Sequence, residues 1–559
     1  MLSTTQQLLA PLGRFGVIGA CKSHGKVRTI ATTKKLSVRV PSRGLFHYDL
    51  KNLGANERET TLVVPKDRRA CKSSAEALKR PSLKEPLVGL ENARKDAPEV
   101  DMSKPAETKF TKLPNGMIVA SEETYSQMSS LGLYIKAGAR FEKASEVGMA
   151  QVVERLMFRG TSNHTHAEVV GMLEDMGATA TSLSYPDMIE LRGEILRPYT
   201  DTFLSLVSDS ILNPVFTTED VQDQVRLIMD EAEAKKESAH TLITDAMHKI
   251  AFKGSPLSQT SPSEDLNSIT AETVYQYMRR NWTAPRFVLA GASVDHEELV
   301  SMATKYFHRL PHMPPDGSIP AVSPAGMPLV GSHRATYSGG MQKIAMEVDP
   351  EDPAPVATLA VAFHGSGIAE SDVHMMFTLS SLMGGGDSFS SGGPGKGIHS
   401  RLYTNVLQTA YYVSHCSSFI HSYPDTALFG IIADCVPGSI ASLLDIVCAE
   451  LARMTTNLDE EGVQRAKNAL KSQIFYNLES RSVITDDIAR YTMAIGRRFS
   501  AADICDRIDA ITVQSLQEYA RRLLSSSPVV VAVGPQQYLN KLPSYAAIER
   551  YFQRAVPSL

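Results

Sequence analysis

One displacement of 242 residues superimposes two separated stretches of this chain. Ile269-Thr270 and Tyr277 recur as Ile511-Thr512 and Tyr519, Arg279-Arg280 as Arg521-Arg522, and Val288 and Ala290 as Val530 and Ala532. The same shift places Glu219, Val221 and Gln222 on Glu461, Val463 and Gln464. Isolated coincidences are common, but a single shift that serves both regions marks a duplicated unit. At 559 residues the chain is too long for one core, so the duplication and the length agree on two substantial domains. The first copy reads as a hairpin (Thr108–Leu113, turn at Pro114-Asn115-Gly116, Met117–Glu122) and a strand Ser130–Ala137. Helical patterns follow at about 147–159 and 166–176, strands near 179–184 and 188–196, and long helical stretches over 198–212 and 218–252. A helix at 271–281, a strand Phe287–Ala292 and a helix at 295–307 close the copy. The expected fold class is α+β: two homologous domains, each an antiparallel sheet backed by long helices, facing across a cleft.

The flanks of the two copies carry different signals. Residues 1–48 contain no Asp or Glu and eight basic residues, among frequent Ser and Thr and an apolar side of Leu8, Leu9, Leu12, Phe15 and Val17. That is the composition of a mitochondrial transit segment. Without it the balance changes from 57 − 61 = −4 to 49 − 61 = −12, an acidic body that disfavours nucleic acid and suits cationic partners. Residues 49–104 show neither helical nor strand periodicity and read as a polar extension. The N-terminal domain then covers 105–310. Six prolines between Pro311 and Pro328 break every pattern, giving an interdomain linker over 311–338 and a C-terminal domain over 339–559. Six cysteines (Cys21, Cys71, Cys416, Cys435, Cys448 and Cys505) lack Cys-x-x-Cys spacing and read as reduced thiols. No apolar run approaches the ~18 residues of a membrane span.

Seven of the fourteen residues from Gly384 to Gly397 are glycine, between two segments of helical pattern. The run is expected to hold neither helix nor strand, because glycine maximises backbone freedom. A phosphate loop would need Gly-Lys-Ser/Thr, whereas Gly395-Lys396 is followed by Gly397, and the run follows a helix. A solvated spacer and a flap that meets peptides through its backbone remain. Ile398, Leu402, Val406 and Leu407 form one apolar helical face after the run and favour the flap.

The first helix of the first copy contains Gln151, Glu154 and Arg155, with Gln151 and Arg155 four apart on one face. With His at both positions the segment would read His-x-x-Glu-His, which holds zinc on one helical face beside a Glu base. A Gln oxygen is a poor substitute for imidazole, and Arg155 sets a permanent cation where the ion would sit. Downstream lies an acidic helix with Asp230, Glu231 and Glu233. Arg155 is expected to pair with Glu231 or Glu233, replacing an ion by a bond between two helices. His164 with His166, and His415 with His421, lack an acidic ligand at recognisable spacing and read as surface or loop residues.

On these residues, over roughly 105–559, the chain resembles the pitrilysin-type (M16) metallopeptidase family, and within it the non-catalytic, glycine-loop type of subunit. The segment Gly384–Tyr403, ending Gly-Lys-Gly-Ile-His-Ser-Arg-Leu-Tyr, is close to that signature, departing at Asp387, where glycine is usual, and at Ile398-His399. The resemblance implies a heterodimer that removes presequences from proteins imported into the mitochondrial matrix. In it the β subunit holds zinc and this chain binds basic amphipathic presequence peptides, with no activity of its own. It assigns substrate binding to Gly384, Gly385, Gly386, Asp387, Ser388, Phe389, Gly392, Gly393, Pro394, Gly395, Lys396 and Gly397, of which Lys396 would repel an Arg-rich peptide locally. It makes Gln151, Glu154, Arg155 and Glu231 a degenerate metal motif, with no metal or other cofactor in this chain. Core subunits of the respiratory cytochrome bc1 complex (complex III) share the same resemblance, so complex III subunits are alternative or additional partners. A peptidase active by itself is a third reading, opposed by the chemistry of Gln151 and Arg155.

Overall fold

The computed structural model describes residues 106–143, 145–258, 266, 268–313, 335–346, 355–388 and 397–556. The transit segment, the polar extension and most of the proline-rich linker lie outside the described residues.

In the first half, strands β1 (Thr108–Lys112), β2 (Ile118–Glu122) and β3 (Met128–Ile135) precede helices α1 (Met149–Leu156) and α2 (His166–Asp175). Strands β4 (Thr179–Ser184) and β5 (Ile189–Leu196) lead to α3 (Thr200–Leu212), α4 (Thr218–Lys235) and α5 (Ala239–Ala251). Helix α6 (Ala271–Asn281), strand β6 (Phe287–Ala292) and helix α7 (His296–Phe307) complete it. The second half repeats the pattern with β7 (Gly340–Ala345), β8 (Ala357–Gly365), α8 (Val373–Met383) and β9 (Gly385–Asp387). Then come β10 (Val413–Ser422), β11 (Ala427–Cys435), α9 (Ile440–Arg453), α10 (Glu460–Leu478), α11 (Arg481–Ile495) and α12 (Ala501–Asp509). Helix α13 (Val513–Leu524), strand β12 (Val529–Gly534) and the helices α14 (Gln536–Leu539) and α15 (Tyr545–Ala555) end the chain.

The strand orders are β1-β2-β6-β3-β5-β4 and β7-β12-β8-β11-β10-β9. Both sheets are antiparallel except for one parallel pair each, β2 with β6 and β7 with β12. The repeated residues have a physical reason. Thr270 and Thr512 are the N-caps of α6 and α13, each accepting from the backbone N–H three residues on. Tyr277 and Tyr519 are buried, and their hydroxyls bond Ala137 O at 2.6 Å and Ser366 Oγ at 2.9 Å.

The inner face of each sheet packs on its own helices. Leu131, Leu133, Ile135, Ile189 and Leu191 meet Val152, Val153 and Leu156 of α1 in one core, and Leu359, Val361 and Phe363 meet Met376, Leu379 and Met383 of α8 in the other. The outer faces are covered reciprocally. Ile243, Ala246, Met247 and Ala251 of α5 pack on Ala360, Ala362, Val529 and Val531 of the second sheet. Ile484, Ile488, Ala489 and Met493 of α11 pack on Ile118, Ala120, Val288 and Ala290 of the first. Ala246, Met247 and Ala251 fall on Ile488, Ala489 and Met493 at the displacement of 242 residues, so the exchange is itself duplicated. The stretch 218–252, which reads as one helix, is two: Ser238 breaks it and caps α5, accepting from Thr241 N. Polar clamps reinforce the exchange. Fully buried Arg140 makes two parallel 2.8 Å bonds to the Asp425 carboxylate, and Arg498 binds Glu122 of β2. Among the described residues no helix is long and apolar enough to cross a membrane.

His248, buried on the inner side of α5, and half-buried His421 of β10 face each other with their rings 5.0 Å apart. The His248 ring bonds the Thr244 carbonyl through Nδ1, so Nδ1 carries the proton and Nε2 accepts from the Tyr423 hydroxyl at 2.7 Å. Burial depresses both rings, and His421 falls to about 3, with the His248 charge adding to the effect. A depressed histidine contributes stability that is present above its unfolded pKa near 6.5 and is lost as pH falls toward the folded value. Acidification from pH 7 to pH 5 is expected to cost about 2 kcal/mol from His421 alone, read as a falling thermal midpoint. His421→Phe should flatten that acid limb, and an unchanged limb would exclude this origin.

Candidate functional site

Helix α1 crosses α4, and the side chains of the degenerate motif meet there. Arg155 donates through Nη2 to both carboxylate oxygens of Glu231, at 2.8 and 2.6 Å. The choice between the two candidate carboxylates follows from helical phase. Ile228, Glu231 and Lys235 share the face of α4 turned to α1, while Glu233 points away and pairs with Lys236 at 2.8 Å. Glu154 accepts from Ser184 N at 2.8 Å and Ser184 Oγ at 2.7 Å at the end of β4, with the Arg155 Nε 3.8 Å away. Burial pushes the Glu154 carboxyl above the usual carboxylate range, and the Ser184 donors and the Arg155 charge offset only part of that. Gln151 lines the same cavity, of about 170 Å³, with no hydrogen-bond partner among the described residues.

This donor set does not fit zinc. Of the carboxylates, Glu231 is already chelated by a guanidinium and Glu154 is held by Ser184, and no imidazole lines the cavity. Among the described residues no group of three or more His, Cys, Asp or Glu side chains is placed to hold a metal. Ser184 and Lys235 were not legible as parts of the site. Ser184 is thirty residues from Glu154, at the end of a strand, and no spacing rule links them.

At the glycine run the structure corrects one expectation. Gly385–Asp387 form the short edge strand β9, paired with β10 as Gly385↔Ser417, Gly386↔Cys416 and Asp387↔His415. The run therefore begins inside the sheet. Gly384 and Gly385 have φ of 57° and 113°, and a Cβ on Gly385 would lie 2.1 Å from the Cys416 carbonyl oxygen. Ser388 continues the pairing through its N–H to Ser414 O at 2.8 Å. Phe389, Gly392, Gly393, Pro394, Gly395 and Lys396 lie outside the described residues, which resume at Gly397. After the run Leu402, Val406 and Leu407 are buried in the second core, as their periodicity implies.

His415 and His421 belong to β10 and not to a surface loop. His421 is half-buried, and His415 bonds Asp387 at 2.8 Å through Nδ1 and Ser417 Oγ at 2.8 Å through Nε2. His240, reaching over from α5, bonds Asp434 on β11 at 3.0 Å, which raises its pKa. The buried thiols Cys416, Cys435 and Cys448 are unpaired, with pKa values pushed up to about 12 by burial.

The sequence matches two family models, insulinase (peptidase family M16) over residues 118–262 and the peptidase M16 inactive domain over residues 268–470. It is similar to the mitochondrial-processing peptidase subunit alpha of Neurospora crassa, with 31% identity over 77% of this chain and 85% of that protein. Similarity to the human subunit of that name is 32% over 80% and 86% of the two chains, and to the Solanum tuberosum one 29% over 83% and 88%. Among solved structures, a chain of complex III2 from Candida albicans, Inz-5 bound, has the same fold, with a TM-score of 0.67 at 18% identity over 79% of this chain and 99% of that one. With a duplicated fold, a helix α1 in the metal-motif position and relatives above 30% identity over most of their length, the chain belongs to the M16 (insulinase) peptidase family.

Proposed function

We propose that the chain is the non-catalytic, substrate-recognition subunit of a heterodimeric mitochondrial processing peptidase. It acts in the matrix beside a zinc-bearing β subunit that cleaves the presequences of imported proteins. The observation that carries the reading is the two-oxygen bond from Arg155 to Glu231, which occupies the place where a metal would need open ligands. Relatives named as alpha subunits, about 30% identical over most of the chain, support it. The body carries a charge of 49 − 61 = −12 once residues 1–48 are set aside, and so attracts basic presequences over about a Debye length.

Beyond β9, four of the six residues from Gly392 to Gly397 are glycine, a composition that suits backbone contact with peptides of varied sequence. A second reading, a core subunit of complex III, draws on the fold shared with a complex III chain. The two roles are compatible. Recovery of the chain in a haem-containing particle after mild detergent extraction would establish the second role, and recovery as a two-chain particle the first.

Two variants test the main reading. Deletion of Phe389–Lys396, which spares the β9–β10 pairing, should leave the heterodimer intact and weaken binding of a labelled presequence by about tenfold, equivalent to ~1.4 kcal/mol. Unchanged affinity would refute the assignment. The double variant Gln151→His, Arg155→His should gain zinc in metal analysis of the purified chain, because it frees Glu231 and supplies two imidazoles. Arg155→Ala should gain none and lose less than about 1 kcal/mol of stability, since the pair is a third exposed. Stoichiometric zinc in the unmodified chain would overturn the non-catalytic reading.

A further inference from the structure

The cavity between α1, α4 and the end of β4 has an unbalanced set of open hydrogen-bonding groups. Its acceptors face donors already in the wall: both Glu231 oxygens meet Arg155 Nη2, Glu154 Oε2 accepts twice from Ser184, and Glu154 Oε1 lies 3.8 Å from Arg155 Nε. Two of its donors are unengaged. Lys235 lies one helical turn beyond Glu231, the carboxylate it would pair with on its own helix, and both oxygens of that carboxylate face Arg155. Neither the Lys235 ammonium nor the Gln151 amide has a partner among the described residues, and both line the cavity of about 170 Å³. The four charged side chains of the wall, Arg155 and Lys235 against Glu154 and Glu231, sum to zero. A cation entering would meet one ammonium and would compete with the Arg155 guanidinium for both carboxylates, whereas an oxygen anion would meet two unused donors.

We propose that this cavity is a carboxylate-binding subsite in which Lys235 supplies the charge and Gln151 a second hydrogen bond. The ligand is a monoanion. A phosphate dianion would bring a second charge against the Glu154 carboxylate without a second unused cation to meet it. The carboxylate can come from a peptide's C-terminus or from an Asp or Glu side chain, and both present the same two acceptor oxygens. The subsite is independent of the reading of the glycine run, which lies in the other half of the chain.

The test uses the full-length chain and three fluorescein-labelled peptides of one sequence: a free C-terminal acid, its amide, and an amide carrying one internal Glu. The unmodified chain should bind at least one carboxylate peptide more tightly than the plain amide by about tenfold, the scale of a charge-assisted hydrogen bond. Lys235→Gln should remove that preference without changing affinity for the amide, Lys235→Arg should keep it, and Gln151→Ala should reduce it about threefold. Lys235 is exposed, so its variants should fold as the parent does. A response from the free-acid peptide identifies a chain terminus as ligand, and one from the Glu peptide identifies a side chain. Equal binding of all three peptides by the unmodified chain would overturn the proposal, as would a carboxylate preference that survives Lys235→Gln.

Discussion

Among the described residues, neither half of this molecule covers the outer face of its own sheet with its own helices. That task falls to a helix from the other half, α5 on the second sheet and α11 on the first. Each exchanged helix lays a mixed stripe of large and small residues on strands rich in alanine, so the backbones approach closely and the contact is extensive. The exchange also controls the site. Helix α4 carries Glu231 and Lys235, and the chain enters α5 at Ala239, capped by Ser238. The carboxylate that holds Arg155 is therefore set by a helix whose continuation is anchored in the other half. Arg140 with Asp425 and Arg498 with Glu122 add specificity to a contact whose driving force is apolar burial.

The Arg155–Glu231 pair is better understood as occupancy than as stabilisation. Both side chains are about a third exposed, and an ion pair so placed contributes at most about 1 kcal/mol. Its chemical consequence is larger. A guanidinium does not give up its proton at working pH, and it engages both oxygens that a metal would need. Glu154, the one carboxylate of α1 beside it, is turned to Ser184 and raised by burial. No base, ligand set or open position is left for metal-assisted hydrolysis within these residues.

Most of the fold was legible because it depends on periodicity. The hairpin, β3 to β6 and α6 fall within a few residues of where alternation, turn chemistry and helical periodicity place them. The exchange was not legible. The apolar stripe Ile243, Ala246, Met247 and Ala251 has the same spacing whichever sheet it covers, and only tertiary packing decides. The site was half legible: helical spacing puts Gln151 and Arg155 on one face and leaves Glu231 and Glu233 as rivals, settled by the phase of α4 against α1. Ser184 carried no sequence signal, and the place of His415 and His421 on β10 was hidden because alternation cannot distinguish a polar residue on an open face from one facing an exchanged helix.

The glycine run combines two demands that composition cannot separate. Gly384 and Gly385 are fixed by sterics: both have left-handed φ, and a side chain at either would collide with Ser400 or with the Cys416 carbonyl. Their glycines are explained by strand pairing without any ligand. At Asp387 the constraint ends, and an aspartate is accommodated where its carboxylate meets His415 across the strand pair. Asp387 and Ser388 still pair with β10, so the entry to the run is positioned by the sheet before the second group of glycines begins. Any binding role for backbone exposed by glycine must therefore lie from Gly392 onward. Gly392, Gly393 and Gly395 lie outside the described residues, and Gly397, where they resume, has a left-handed φ of 87° that itself favours glycine. The first group of glycines anchors the run in the sheet.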